Sequence, residues 1–344
     1  MKKALIRSFN YMNRRQFMIS SGLVGLGFTF GSFTWRRPER QKIKNIRGSF
    51  STNKNQVSIY TNTQVKPTRI FHITDTHLSI DDERGVKYLD FSTRMAREYK
   101  SNSHFQTGEN YSAKESFEQT LELAIKQEVD FLALTGDIFS FPSEAAVEWA
   151  LQKLNDTGLP FAYVAGNHDW HYEGMKGSSQ QLRETWSEKH LKLMYQGNKP
   201  LYAAYDLNGV RLVCIDNSTY EILPEQLAFF RVQTQNDIPL ILLMHIPLYM
   251  PGRSMGFGCA NPNWGETSDK NFRIERREKW RKGGHTKVTM DFYEEVFNAP
   301  NLLTVLAGHT HRHTIDIKNG VPQIVSAHNA TGYYLDLNIE TLSN

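Results

Sequence analysis

Five short blocks along this chain carry side chains that could bind divalent metal ions. They supply seven oxygen or nitrogen donors and one further histidine. Two adjacent metals can acidify a shared water and orient it for attack on phosphorus, and a spare histidine can protonate the leaving group. These residue types therefore indicate metal-dependent hydrolysis of a phosphate ester. The blocks are Asp75-Thr76-His77, Gly136-Asp137, Gly166-Asn167-His168-Asp169, His245 and Gly308-His309-Thr310-His311.

Each block follows a short apolar run that predicts a buried strand. The runs are rich in β-branched and aromatic residues, as buried strands are. In open α/β sheets, ligand sites gather beyond the carboxyl ends of the strands, so five strand ends could bring these side chains together. The glycines at 136, 166 and 308 fit the sharp turns needed there. The runs cover residues 70–73, 131–134, 161–165, 240–244 and 302–307.

The order of the blocks resembles that of the calcineurin-like metallophosphoesterases. That family's pattern is DxH, GD, GNH[DE], a single H and GHxH, and all five parts occur here between residues 75 and 311. One such part is a weak signal, whereas five in order are a strong one. The chain departs from the GDxx[DN] form that many members carry, because Ser140 stands at the last position of that stretch.

The resemblance implies a role for each matching residue. One metal would be held by Asp75, His77, the bridging Asp137 and His311, and the other by Asp137, Asn167, His245 and His309. His168 would donate the proton, with Asp169 orienting it. A hydroxide that bridges the metals would attack a phosphomonoester or phosphodiester. Mixed imidazole, carboxylate and amide donors favour manganese, iron or zinc as the two metals.

The rest of the chain predicts an α/β fold. Apolar residues at helical spacing predict helices near 113–127, 144–155, 178–194, 224–234 and 288–299, and two Asn-Gly pairs predict hairpins at 208–209 and 319–320. With the five strands, this pattern favours two packed mixed sheets with helices outside, the four-layer α/β/β/α sandwich that the resemblance also implies. Two insertions, near 79–112 and 250–287, could form substrate walls or only pack the domain edge.

The N-terminal segment is a separate device. Arg14-Arg15-Gln16-Phe17 resembles a twin-arginine export signal, and the stretch 16–35 is uncharged but only moderately apolar. We therefore expect an export signal or membrane anchor at 1–35, a polar linker at 36–56 and the phosphoesterase domain at 57–344. The bacterial periplasm or another exported location follows from this interpretation, with a membrane anchor as the alternative.

Charge bears on the choice of substrate. Eleven Lys or Arg residues and one acid precede residue 48, so a net charge of +4 for the whole chain leaves −6 for the remainder. A mildly acidic domain makes nucleic acid an unlikely partner and a small-molecule phosphoester the expected one. A pyrophosphatase on nucleotide-linked or lipid-linked substrates, a nuclease and a non-catalytic interaction protein on the same fold remain alternatives. The sequence predicts no oligomeric state.

Overall fold

Two six-stranded sheets form the centre of the protein. The computed structural model describes residues 46–251 and 285–342. Strands β1 to β14 span, in chain order, Arg47–Asn53, Gln56–Thr61, Thr68–Ile73, Asn102–Ser103, Asn110–Tyr111, Phe131–Leu134, Phe161–Tyr163, Tyr202–Leu207, Val210–Ile215, Leu240–Leu243, Leu302–Ala307, Thr314–Lys318, Val321–Val325 and Leu335–Thr341. The first sheet has the order β1-β2-β14-β3-β6-β7 and the second β12-β13-β11-β10-β9-β8, while β4 and β5 form a small separate pair.

Parallel pairing aligns the strand ends that precede the five blocks. Strand β6 pairs in parallel with β3 on one side and β7 on the other. In the second sheet, β10 pairs in parallel with both β9 and β11. Parallel strands end at the same edge of a sheet, so each sheet delivers its blocks to a single edge.

Helices cover the outer faces of the two sheets. Phe117 and Leu121 pack with Leu132 and Leu134 of β6 in one cluster, and Phe292 packs with strand residues of the second sheet in another. The rings of Phe131 and Tyr205, from β6 and β8, lie 6.0 Å apart and join the two sheets. The α-helices span Leu89–Ser92, Met95–Glu98, Ala113–Lys126, Glu144–Asp156, Ser179–Lys189, Pro224–Gln233 and Lys287–Val296, and 3₁₀ helices span Glu83–Tyr88, Leu191–Tyr195 and Asn329–Thr331.

The expected fold, two mixed sheets flanked by helices, is confirmed. The five predicted helices are present, although the one expected over 178–194 ends at Lys189 because His190 leaves the helical conformation at φ −120°. Both Asn-Gly hairpins also form, between β8 and β9 and between β12 and β13. Of the described residues, none belongs to a helix with the length and apolar character that a bilayer crossing requires.

The expected linker extends too far into the domain. Residues 47–53, which the sequence predicted to be part of a linker over 36–56, form β1 and pair with β2 in antiparallel fashion. The described side chains of β1 are mostly exposed, because the strand lies at the sheet edge and is held by backbone hydrogen bonds. An edge strand of this kind lacks the apolar signal by which a buried strand is predicted. Residues 1–45, and with them the expected export signal, lie outside the described residues.

The two expected insertions differ in what can be said of them. The first contains the short helices between Glu83 and Glu98 and the small pair of strands β4 and β5. Residues 252–284, most of the second insertion, lie outside the described part of the chain.

A partly buried ion pair fastens strand β14 into the first sheet, between β2 and β3. Arg69 of β3 donates two hydrogen bonds of 2.7 Å to the carboxylate of Asp336, whose side chain is 3% exposed. Arg69→Ala should lower the free energy of unfolding by about 1–3 kcal/mol, because it leaves a buried carboxylate unpaired. Urea unfolding of purified protein measures this loss.

Arg84→Ala is the matched control for that measurement. Arg84 also forms bidentate ion pairs, with Asp82 and Glu148, but these lie at the surface in water. Its removal should change the unfolding midpoint much less. Equal losses for the two variants would contradict the assigned role of the Arg69–Asp336 pair.

Candidate metal centre

Hydrogen bonds between the two sheets hold the five blocks together. His245, directly after β10, donates from Nδ1 to the carbonyl of Thr135 at 2.8 Å. The backbone N–H of His309, after β11, donates to Oδ2 of Asp75 at 2.9 Å. Within the first sheet, Asp75 and His77 donate backbone hydrogen bonds of 2.9 Å to Gly136 and Asp137. The predicted residues thus meet at the seam where the carboxyl ends of both sheets face each other.

Two groups of side chains present their ligand atoms close together. In the first group, Oδ1 of Asp75 lies 3.2 Å from Nε2 of His311 and 3.9 Å from Nε2 of His77. In the second group, Oδ2 of Asp137 lies 3.2 Å from Nε2 of His245, and His309 completes the cluster. The ligand atoms of each group all lie within 4.8 Å of one another. A third group of the described residues, His77, Asp137 and His168, shares one member with each of these two.

The donor set fits divalent cations. Asn167 is 1% exposed, and its Oδ1 accepts no hydrogen bond within the part of the chain that the structure describes. The Nε2 atoms of His77 and His311 lie 3.0 Å from each other beside the Asp75 carboxylate. A buried amide oxygen without a hydrogen-bond donor and converging imidazole nitrogens are groups that bound transition metal ions would satisfy.

The electrostatics of the site also favour positive charge. Burial raises the pKa of Asp75, but His311 and His245 lower it more, so the pKa lies below its usual range. Burial and the surrounding histidines act on Asp137 in the same opposing ways, and its pKa also falls well below the usual value. For His245, burial lowers the pKa, while Asp137 and Asp75 raise it to about 9. Two buried, ionised carboxylates therefore demand cations beside them.

The backbone at the centre is strained. Five of the predicted ligands adopt left-handed conformations, with φ between 49° and 69°, which non-glycine residues rarely do. Each such residue costs about 1–2 kcal/mol. Gly308 cannot be replaced by a larger residue without displacing its neighbours, since a Cβ atom there would lie 2.0 Å from Oγ1 of Thr74. The five residues are Asp75, His77, Asp137, His309 and His311.

A 3₁₀ turn near the C-terminus braces the strained loop that contains Asp75 and His77. Asn329 and Ala330 donate backbone hydrogen bonds to the carbonyls of Thr74 and Asp75. Oδ1 of Asn329 accepts from Thr76 at 3.1 Å, and its Nδ2 donates to Thr120 at 2.9 Å. The sequence analysis did not identify Asn329, because nothing in its local sequence distinguishes it from an ordinary turn residue.

His168, the predicted proton donor, lies beside His77 and Asp137. It is half-buried, and its ring stands edge-on to that of His77 at 5.0 Å between centroids. Its backbone N–H donates to Oδ1 of Asp137 at 2.8 Å, and its Nδ1 faces the carbonyl of Ser140 at 3.3 Å. The Ser140 backbone therefore contacts the imidazole at the position where many family members carry an Asp or Asn.

The expected role of Asp169 in orienting His168 is wrong. In the described residues, the Asp169 carboxylate accepts backbone hydrogen bonds from Asp137, Phe139 and Gly166 instead, at 2.7–2.9 Å. Burial and the Asp137 carboxylate raise its pKa to about 7, while the backbone donors oppose this rise. Asp169 thus fastens the loop after β7 to the loop after β6. It acts on His168 only through the backbone.

Further aromatic side chains contact the centre. Tyr99, from the first insertion, stacks on His77 with 3.9 Å between ring centroids and 11° between planes. His328 stacks on His311 at 4.8 Å, and the Tyr220 hydroxyl lies 3.1 Å from Nε2 of His309. None of these three was predicted from the sequence. His72 is fully buried against Thr135, and burial lowers its pKa to about 3.

Known proteins are similar to this chain in sequence or in fold. A probable cyclic nucleotide phosphodiesterase of Psychrobacter sp. is 25% identical over 298 residues, which are 77% of this chain and 76% of that protein. The DNA double-strand break repair protein Mre11 of Sulfurisphaera tokodaii is 33% identical over 107 residues, but these are only 22% of its length. A dimetal phosphatase from Danio rerio aligns with 78% of this chain and 91% of its own, at 11% identity and a TM-score of 0.48.

The family model described as calcineurin-like phosphoesterase matches residues 68–313. This range contains every predicted ligand and more than half of the chain. The two mixed sheets flanked by helices and the clustered blocks agree with that match. The chain therefore belongs to the calcineurin-like phosphoesterase family.

Proposed function

We propose that this phosphoesterase hydrolyses small phosphodiesters and that cyclic nucleotides are its substrate class. The observation that carries the metal-dependent part is the convergence of both ligand groups on the seam between the sheets. The diester part is supported by relatives from Psychrobacter and Fibrobacter that are named as probable cyclic nucleotide phosphodiesterases. These relatives are 24–39% identical over the matched segments.

The residues at the seam could hold two metals. Asp75, His77, Asp137 and His311 would hold one, and Asp137, Asn167, His245 and His309 the other. Manganese, iron and zinc suit this mixture of imidazole, carboxylate and amide donors. When bound, the metals supply positive charge that acidifies a water molecule and neutralises the phosphoryl oxygens.

His168 would complete the reaction at the leaving group. Its Nδ1 faces the Ser140 carbonyl, which can only accept a hydrogen bond, so the other ring nitrogen, Nε2, is available to the substrate. A protonated ring held in this way can donate its Nε2 proton to the departing oxygen. Asp169 supports the same step indirectly, because it holds the loop that contains His168 against Asp137.

The alternatives differ in what supports them. A nuclease is supported by the similarity to Mre11, but that similarity covers a small part of Mre11, and residues 48–344 have a net charge of −6. A pyrophosphatase would use the same metals on a different phosphate linkage. A non-catalytic interaction protein would not need a complete set of ligands, and this chain retains all seven predicted ligands.

We also propose export through the twin-arginine route. Arg14 and Arg15, followed by Phe17 and an uncharged stretch to Trp35, support it. Export of an already folded protein suits a metal centre that exists only after folding. Contact with a membrane would then come only from the N-terminal segment.

The substrate proposal predicts a marked preference among phosphate esters. Manganese-loaded protein should hydrolyse 3′,5′-cyclic and 2′,3′-cyclic nucleotides with a kcat/KM at least ~10-fold above that for nucleoside monophosphates. A chelator should abolish hydrolysis, and manganese, zinc or iron should restore it. Chromatographic detection of products from a panel that adds single-stranded DNA and nucleotide sugars tests this. Faster cleavage of DNA would favour the nuclease, and hydrolysis indifferent to chelators would overturn the metal mechanism.

His168→Ala should reduce catalysis in a way that depends on the leaving group. We expect kcat to fall by ~10²–10⁴-fold for a diester with an alkoxide leaving group, and by much less for a p-nitrophenyl ester, whose leaving oxygen hardly needs a proton. Metal analysis should find the same metal content as in the unaltered protein. His104→Ala, a change in the first insertion outside the ligand groups, is the control. Equal losses on both esters would argue for a binding role instead.

The export proposal predicts that the host's export machinery recognises the two guanidinium groups and not only their charge. Changing Arg14 and Arg15 to lysine keeps the charge but removes the planar guanidinium groups, and should leave folded protein in the cytoplasm of a bacterial host. The same change at Arg36 and Arg37, beyond the uncharged stretch, should leave export intact. Fractionation followed by immunoblotting measures both. Export of the first variant at the normal level would instead indicate an ordinary signal anchor.

A further inference from the structure

The five-residue loop that follows β9, Asp216–Tyr220, contacts the chain beside the predicted ligands of the second metal. We call it the brace loop. The sequence analysis assigned it no role, because it offers no ligand within the five blocks. Four of its residues are fully or almost fully buried, which is unusual for a polar loop. They are Asp216, Asn217, Ser218 and Tyr220.

Tyr220 reaches His309 directly. Its hydroxyl lies 3.1 Å from Nε2 of the imidazole, and the two rings meet edge-on with centroids 5.7 Å apart. The tyrosine is 2% exposed and adopts φ 62°, a left-handed conformation that a bulky residue rarely takes. Its backbone N–H donates to the carbonyl of Asn217 at 2.8 Å, which closes a tight turn. This turn places the Tyr220 hydroxyl against the His309 ring.

The other residues of the brace loop fasten two neighbouring blocks. Nδ2 of Asn217 donates to the carbonyl of Ile246 at 2.6 Å, and its Oδ1 accepts from the backbone N–H of Ile246 at 3.0 Å. Ile246 directly follows His245. Oγ of Ser218 accepts from the indole N–H of Trp170 at 2.8 Å, and Trp170 directly follows the block that contains Asn167.

An ion pair behind the loop holds it in place. Asp216 accepts from the backbone N–H and the hydroxyl of Ser218, at 2.8 and 2.5 Å. Its other carboxylate oxygen lies 3.7 Å from the guanidinium of Arg183, whose side chain is 2% exposed. Charges buried to this extent are retained where they are paired and fix a geometry.

We propose that the brace loop positions the ligands of the second metal and that the Tyr220 hydroxyl orients the ring of His309. The two nitrogens of an imidazole point to opposite sides of the ring. Contact of Nε2 with Tyr220 therefore leaves Nδ1 as the nitrogen that can face Asp137 and the metal. Tyr220 acts through His309 and is a positioning residue. The proposal rests on the metal centre described under the proposed function.

The proposal predicts an effect on one metal only. Asp75, His77 and His311, the predicted ligands specific to the first metal, contact other supports, which are Ala330, Tyr99 and His328 respectively. A defect in the brace loop should therefore weaken the second metal and spare the first. A general loss of stability would instead weaken both.

Tyr220→Phe on the full chain tests the role of the hydroxyl. Metal-free protein is titrated with Co²⁺ and followed by visible absorption, and metal content is measured after dialysis at fixed free Co²⁺. Groups that support metal ligands typically contribute 10–100-fold to affinity, so one of the two Co²⁺ Kd values should rise by about that factor and the other by less than ~3-fold. Tyr205→Phe is the matched control. It removes the hydroxyl of a buried tyrosine of β8, which accepts a hydrogen bond from Asn198, and should change neither Kd.

Each outcome bears on the proposal. Two Co²⁺ Kd values equal to those of the unaltered protein would overturn it, as would an equal loss of both equivalents. A metal-free melting temperature lowered in Tyr220→Phe but not in Tyr205→Phe, with unchanged Co²⁺ spectra, would assign the hydroxyl a structural role instead. Failure of the unaltered protein to bind two equivalents would overturn the metal centre itself, and is recognised before any variant is made.

Discussion

The structure depends on two ionised carboxylates, Asp75 and Asp137, that are buried where the two sheets meet. Buried charge is strongly unfavourable unless opposite charge lies beside it. Histidines surround both groups, and their spacing leaves room for cations that would complete the neutralisation. The arrangement favours metal-bound protein over metal-free protein, since ligand binding to the folded state adds to its stability.

Backbone strain is concentrated at the same centre, and contacts with the surrounding protein hold the strained residues in place. The loops after β3, β6 and β11 contain the five predicted ligands whose backbone is left-handed. Separate parts of the chain hold these loops in place. The turn at Asn329 supports the loop of Asp75 and His77, while Asp169 joins the loops after β6 and β7. Strain of this kind persists only where neighbouring contacts over-determine it, which explains why the supports come from distant segments. Rigid ligand geometry is the consequence.

Much of this organisation could be predicted because it is written in local patterns. The run at 131–134 is apolar throughout, the run at 302–307 is apolar apart from Thr304, and a glycine follows each within two residues, so strand ends with ligands were evident. The Asn208-Gly209 and Asn319-Gly320 hairpins followed from a turn that requires positive φ at both residues. The strand β1 was missed, because an edge strand rich in Ser, Thr and Asn has no apolar face to recognise. The role of Asp169 was mistaken because adjacency to His168 in sequence does not set the direction of a side chain.

By itself, the sequence determined the kinds of ligand, their order along the chain and the strands that precede them, since these depend on residue type and short spacing. Only the tertiary structure decided which distant residues support the predicted ligands. Asn329 meets Thr76 across more than 250 residues, and Tyr220 meets His309 across 89. Contacts of this range arise only when distant strands pair and the sheets pack. No local propensity encodes them, because their free energy belongs to the packed state of both sheets together.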